Sequence, residues 1–379
     1  MLACQRHLFD IPDDVAYLNT AYMGAVPLRA MEAGIAGARR KCQPWQITPP
    51  DFFSESEEAR ARFAALIGAG ADDIAIVAAA SYGLALAAAN LPLARGQTIV
   101  VLHEQFPSNV YPWRALAAEA GARIVTLPRP GDDDWTATIL AAIDDAVGIV
   151  ALPHCHWTDG AVIDLVAVGE RCRAVGAALV IDGTQSVGAL PIDVRAVQPD
   201  FLVAACYKWL LGPYGLGFCY VAPRYHATGR PLEHNWQQRA NSQDFTGLVD
   251  YRDDFQPGAR RFDVGERGNF HLVPLAAASL QQLLDWGVAA IQNSLRARTD
   301  SIAARAAELG ISAVPRARRA GHYLGLRFKG QVPEGLADRL AAERVYVSVR
   351  GRDSMRITPH LWVNDADEDR LLAVLADAV

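Results

Sequence analysis

Residues 179–194 read LVIDGTQSVGALPIDV, and residues 197–221 read VQPDFLVAACYKWLLGPYGLGFCYV. Leu179-Val180-Ile181 and Phe201 to Cys206 are short apolar runs, the pattern of strands buried on both faces of a parallel sheet. Asp182 closes the first run, and Tyr207-Lys208 close the second. Both groups therefore fall at the carboxyl ends of strands, where open α/β sheets bind their ligands. Gly183 turns the chain after the acid. The run Gly212-Pro213-Tyr214-Gly215-Leu216-Gly217 turns it into a further strand, Phe218–Val221.

Outward from this stretch, Ala-rich segments alternate with short Val/Ile/Leu runs, which predicts an α/β fold with a parallel sheet. A chain of 379 residues implies two domains. A hydrophobic fraction of 51% with 21% charge suits a compact soluble protein, and a net charge of -6 leaves no electrostatic footprint for nucleic acid. Asp10, Asp13 and Asp14 argue against a signal peptide. The most apolar stretch, Ala78 to Ala94, is interrupted by Ser81, Asn90 and Pro92 and does not suit a membrane span. Six scattered cysteines without a CxxC pair are expected to be reduced, mostly packed thiols of a cytoplasmic protein. His154 and His156 lack the partners of a zinc site.

A carboxylate and a lysine aimed at one crevice suit pyridoxal phosphate (PLP). Burial lowers the pKa of the lysine and makes it an amine nucleophile for a Schiff base. The acid pairs with the protonated pyridine nitrogen and keeps the ring an electron sink. A structural ion pair between two strand ends is the alternative for an isolated Asp and Lys. Here D-G-x-Q-x-x-G from Asp182, followed by K-W-L-x-G-P-x-G-x-G from Lys208, resembles the class V aminotransferases of the fold-type I PLP enzymes. That family includes cysteine desulfurases, isopenicillin N epimerase-like proteins and kynureninases. The resemblance implies a large domain with a mostly parallel seven-stranded sheet flanked by helices, at residues 16–286. A smaller α+β domain would comprise 1–15 and 287–379.

It also implies roles for particular residues. Ser81 and Tyr82, expected to open a helix Leu84–Asn90, would seat the phosphate on free N–H groups. Phe106 would stack on the pyridine ring, where desulfurases carry histidine. Gln185 would reach the ring oxygen, alone, because Trp157 replaces the asparagine of relatives. Ala205 and Tyr207 replace a serine and a histidine, leaving Tyr207 as a phosphate donor. Arg267 and Asn269 would touch the phosphate of the neighbouring subunit in a homodimer. Arg356, in R-x-x-x-x-x-x-x-N, would hold the substrate carboxylate with its guanidinium fork. Asn19 and Tyr22 match the substrate-side opening signature, although a turn before the helix at Leu28–Cys42 explains them equally well. Thr158 and Asp159 line the loop after the strand Gly148–Pro153. The polar segment Pro223–Pro257 reads as a loop near the site mouth, with substrate selectivity in stretches such as Trp236–Asn241.

The expected activity is that of a PLP-dependent aminotransferase acting on a small amino acid, through the Lys208 Schiff base and a Cα carbanion stabilised by Asp182. An epimerase or a C–S/C–C lyase of the same family is the alternative, and a non-catalytic binding module is a third reading. No cysteine lies between Val345 and Arg356, where desulfurases carry their nucleophile. A persulfide route is therefore disfavoured.

Overall fold

A computed structural model describes residues 1–379. Its strands, in chain order, are β1 (Ala16–Tyr17), β2 (Ile74–Val77), β3 (Thr98–Leu102), β4 (Arg123–Leu127), β5 (Val147–Pro153), β6 (Ala178–Asp182) and β7 (Phe201–Ala205). They continue with β8 (Gly217–Val221), β9 (Ser312–Ala313), β10 (Leu324–Arg327), β11 (Val345–Tyr346), β12 (Ser348–Arg350) and β13 (Ser354–Ile357).

Seven strands form one sheet in the order β2-β8-β7-β6-β5-β3-β4. All run parallel except β8, which is antiparallel to both of its neighbours. The Gly212–Gly217 turn explains this: so short a connection returns the chain directly and leaves no room for a helical crossover. Both faces of the sheet are covered. Leu202 and Ala204 of β7 belong to one apolar core, while Phe201 and Val203 belong to the other. Alternate residues point to opposite faces, so a strand buried on both must be apolar throughout.

The helix Ser54–Ile67, for all its charge, buries one side: Arg60, Phe63 and Ile67 are sequestered, and Phe63 stacks on Phe218 at 4.7 Å. Its charges are neutralised internally. Asp263 receives Arg60 Nη2 at 2.9 Å, Arg267 Nη1 at 2.8 Å and the Ile76 amide at 2.7 Å. Removing one partner of such a buried network costs about 3–5 kcal/mol.

The smaller unit holds the antiparallel sheet β12-β13-β10-β9 against the helix Val288–Glu308, on which the helix Asp365–Ala376 packs in turn. The segment Val345–Arg350 is divided between β11 and β12, which belong to different sheets. The N-terminal arm continues past residue 15: β1 pairs in parallel with β11, and Asn19 bridges to Thr358. No helix is long and apolar enough to cross a membrane.

Candidate active site

The ends of β6 and β7 frame a cavity of about 210 Å³ that both Asp182 and Lys208 line. The Thr184 amide donates to Asp182 Oδ1 at 3.0 Å, and no protein group donates to the second carboxylate oxygen. Lys208 Nζ makes no hydrogen bond or ion pair and lies 5.1 Å from the centre of the Phe106 ring. Burial drives its pKa down to about 8; Asp182 pulls it up, and the guanidiniums of Arg356 and Arg350 push it down further. The site thus offers a poised amine, an aromatic wall and a carboxylate oxygen awaiting a cationic donor. These are the groups a pyridinium aldehyde requires, and they face one space.

The floor is tightly wired. Gln185 Nε2 donates to the Ala21 carbonyl at 3.1 Å, and its Oε1 accepts from Trp209 Nε1 at 3.0 Å. One amide N–H of Gln185 remains for a ligand. His322 Nε2 lies 2.7 Å from the Gln185 carbonyl, with its ring edge-on to Trp209 at 4.4 Å. Burial holds His322 neutral, with a pKa near 3. Thr184, Trp209 and His322 escaped the sequence reading. Thr184 and Trp209 lay inside the quoted motifs, whereas His322 arrives from the other domain without any local signal.

At the phosphate end the helix begins at Ala80, earlier than expected, so Ser81 stands in its first turn and borders the cavity. The amides of Ala80, Ser81 and Tyr82 have no intrahelical acceptor, the usual state of a helix N-terminus and the basis of its anion affinity. Gly83 lets this helix lie against β7, because a Cβ there would meet Val203 at 2.8 Å. Tyr207 and Tyr214 close this end with ring centres 4.7 Å apart.

On the substrate side stands Trp157. Its indole packs edge-on against Phe106 at 5.5 Å, and its N–H donates to the Glu104 carbonyl at 2.5 Å. Behind it, Arg356 is 2% exposed. Its Nη1 donates to the Trp157 carbonyl and its Nη2 to Ser348 Oγ, both at 3.1 Å, while Nε is buried without an acceptor. Ser348 passes its own proton to Asn19 Oδ1 at 2.8 Å. Asn19 thus orients Arg356 through Ser348, and Tyr22 is exposed.

Several expected residues are held away from this cavity, among them Arg267 and Asn269, which were expected at the phosphate of a neighbouring subunit. The Tyr82 side chain turns into the second core with its hydroxyl near Glu233. Arg267 is 1% exposed, with Nη1 donating to Asp263 and the Gln237 carbonyl and with Nε and Nη2 buried without acceptors. Asn269 caps the helix Leu272–Trp286 by accepting from the Leu272 amide at 3.0 Å. Trp236 packs on Phe52, Phe53 and Phe245, away from Lys208. Thr158 and Asp159 serve the outer cleft, where both bond Arg129.

Comparison with known proteins agrees with this geometry. Residues 50–363 match the family model described as aminotransferase class-V. The chain is 28% identical over 334 residues to the uncharacterized aminotransferase YcbU of Bacillus subtilis (strain 168), covering 84% of this chain and 82% of that one. It is 27% identical over 299 residues to the isopenicillin N epimerase of Streptomyces clavuligerus, covering 76% and 73%. Among solved structures, a lysine-to-alanine variant of C-DES, with glycine covalently linked to the PLP cofactor, superposes with a TM-score of 0.88. That likeness covers 99% of this chain and all of C-DES at 20% identity, and it speaks for the fold. The chain belongs to the class-V aminotransferase family, whose cofactor is pyridoxal phosphate.

Proposed function

We propose that this protein is an aminotransferase for small amino acids. The observation that carries the reading is the solitary amine at the cavity: Lys208 is free, buried and near neutrality, and Phe106, which faces it, has no ionisable group. Asp182, Gln185, Phe106 and the helix N-terminus at Ala80–Ser81 would hold PLP. When bound, PLP supplies the electron sink that weakens the Cα–H bond of an amino acid. Lys208 Nζ would take that proton from Cα and deliver it, on the same face, to the carbon of the former aldehyde. Arg356 orients the substrate through its carboxylate, and Trp157 with Phe106 excludes water from the reacting carbon. A single base suits proton transfer along one face, whereas inversion at Cα needs a second acid on the other.

An enzyme-thiol route lacks its thiol. Cys155, Cys206 and Cys219 are buried, and burial raises each of them far above the ordinary thiol value. Six unpaired cysteines fit a reducing cytoplasmic setting. Exposed Met31, Ile35, Trp45 and Tyr251 fit a face that a second copy would cover in a homodimer.

Incubating holoenzyme with an amino-acid panel tests the reading. Pyridoxamine phosphate plus a keto acid is the expected result. Racemised substrate carrying solvent deuterium at Cα would establish an epimerase instead, and ammonia with pyruvate a lyase. A holoprotein whose visible band ignores every amino acid would be a binding module.

A further inference from the structure

The hairpin that carries Arg356 carries a second arginine on the same face. Ser348 of β12 lies opposite Arg356 of β13, and Arg350 lies opposite Ser354. Arg350 is two residues beyond Ser348, so its side chain leaves the sheet on the side of Arg356, one diagonal step away, roughly 7–8 Å. Both guanidiniums reach one indole: the Cζ atoms of Arg356 and Arg350 lie 5.4 and 5.9 Å from the centre of the Trp157 ring. Trp157 is also a wall of the Lys208 cavity. The two cations therefore flank the residue that separates this cavity from a wider outer cleft of about 590 Å³.

Arg350 differs from every other cation of that cleft. Arg129 and Arg327 both bind Asp159, at 2.5 and 2.7 Å, and Arg327 also binds Asp133 at 2.9 Å. Glu104 turns toward Arg129 and His103 at 3.9 Å. Asp353, on the same turn as Arg350, forms no ion pair with it. The Arg350 guanidinium donates no hydrogen bond, and its Nε is buried without an acceptor. Holding a half-buried cation beside a second one, with neither neutralised, is unfavourable unless a ligand supplies the counter-charge. The α-carboxylate of an amino acid satisfies one of them. The other remains uncompensated.

We propose that Arg350 is a second anion anchor and that the substrate carries an acidic group, carboxylate or sulfinate, on a short side chain. The inference rests on the reading of the chain as a PLP enzyme for amino acids and narrows its substrate class. In it, Arg356 takes the α-carboxylate and Arg350 the distal acid across the Trp157 indole.

The test uses holoenzyme and matched pairs: aspartate against asparagine, glutamate against glutamine, and cysteine sulfinate against serine. Dissociation constants come from the change in the visible spectrum, and kcat/KM from product formation. The expected preference for the acidic member is roughly tenfold to a hundredfold, the scale of one charge-assisted hydrogen-bonded contact. Arg350→Gln should collapse that ratio and Arg350→Lys should keep part of it, with the intact cofactor band reporting that each variant is folded. Succinate should perturb the spectrum of the wild type more strongly than propionate, and this difference should vanish in Arg350→Gln. Equal responses within each pair, or a ratio unchanged by Arg350→Gln, would overturn the anchor and leave the aminotransferase reading intact. Silence toward every amino acid would overturn both.

Discussion

The cavity has two walls of different construction. The one that carries Asp182 and Lys208 rises from strand ends of the seven-stranded sheet, and its polar groups are interlocked: Thr184 on Asp182, Gln185 between Ala21 and Trp209, His322 on the Gln185 carbonyl. The one that carries Trp157 and Arg356 is a loop and a hairpin, and it keeps two buried donors idle, the Nε groups of Arg350 and Arg356. A buried donor without a partner costs about 1–3 kcal/mol. On the proposed reading the first wall would meet the same cofactor in every turnover, and its framework can be set in advance. The second would meet substrates that come and go, and its unspent donors would be free energy held back for them. One cavity thus joins a fixed socket to a surface that is completed only by its ligand.

The heaviest blow to this contrast is Lys208→Ala. Turnover should fall by about 10²–10⁴-fold, the scale of a lost general base, and borohydride should no longer fix the cofactor covalently to the protein, as read by mass spectrometry. A cofactor still fixed to the variant chain would mean that the socket lies elsewhere. Asp182→Asn comes next, with a loss of roughly tenfold to a hundredfold in kcat for one charge-assisted contact. It also makes a signed claim about pH. Asp182 raises the Lys208 pKa, which sits at about 8 with that carboxylate in place, so PLP capture by apoprotein should rise through pH 8 in the wild type and through a lower pH in the variant. An upward shift would contradict the assigned electrostatics.

Gly24→Ala probes the rigidity of the socket. The new methyl would lie 2.0 Å from the Lys208 carbonyl oxygen, and overpacking of this kind costs about 1–3 kcal/mol, readable as a lowered denaturation midpoint. An unchanged midpoint would show the first wall to be softer than described. Ser348→Ala should have the mildest effect. It frees Arg356 from one neutral bond worth about 0.5–1.5 kcal/mol, so KM should rise a few-fold with kcat nearly constant. A fall in kcat without a change in KM would place Arg356 in the chemistry itself.

The two walls were also unequally legible. Asp182, Lys208 and Gln185 stand in contiguous motifs whose spacing encodes a strand end followed by a turn, and the strands on either side announce themselves by apolar runs. Phe106 and Ser81, each one loop after a strand, came from the resemblance, and both border the cavity. Tyr82 was carried over by resemblance and turns away from the cavity, because motif position fixes a backbone and leaves open which way a side chain turns. Arg267 was expected at the phosphate of a neighbouring subunit, and in its own chain it is buried. Arg267 is drawn inward by Asp263, and no local pattern reveals that acid as its partner. Arg350 was invisible for another reason. Its significance lies in lacking a counter-ion, and that becomes apparent only once the acids around it are seen to be occupied.

The opening residues of the chain run along both walls. Ala16 and Tyr17 pair with Val345 and Tyr346, Asn19 holds Ser348, the Ala21 carbonyl takes Gln185, and the Gly24 amide donates to the Tyr207 carbonyl at 2.8 Å. During synthesis this segment leaves the ribosome long before residues 345–357 and must wait for them before its strand has a partner. The seven-stranded sheet can close while the nascent chain is still tethered; the pocket over Lys208 becomes whole only once residues 345–357 have followed.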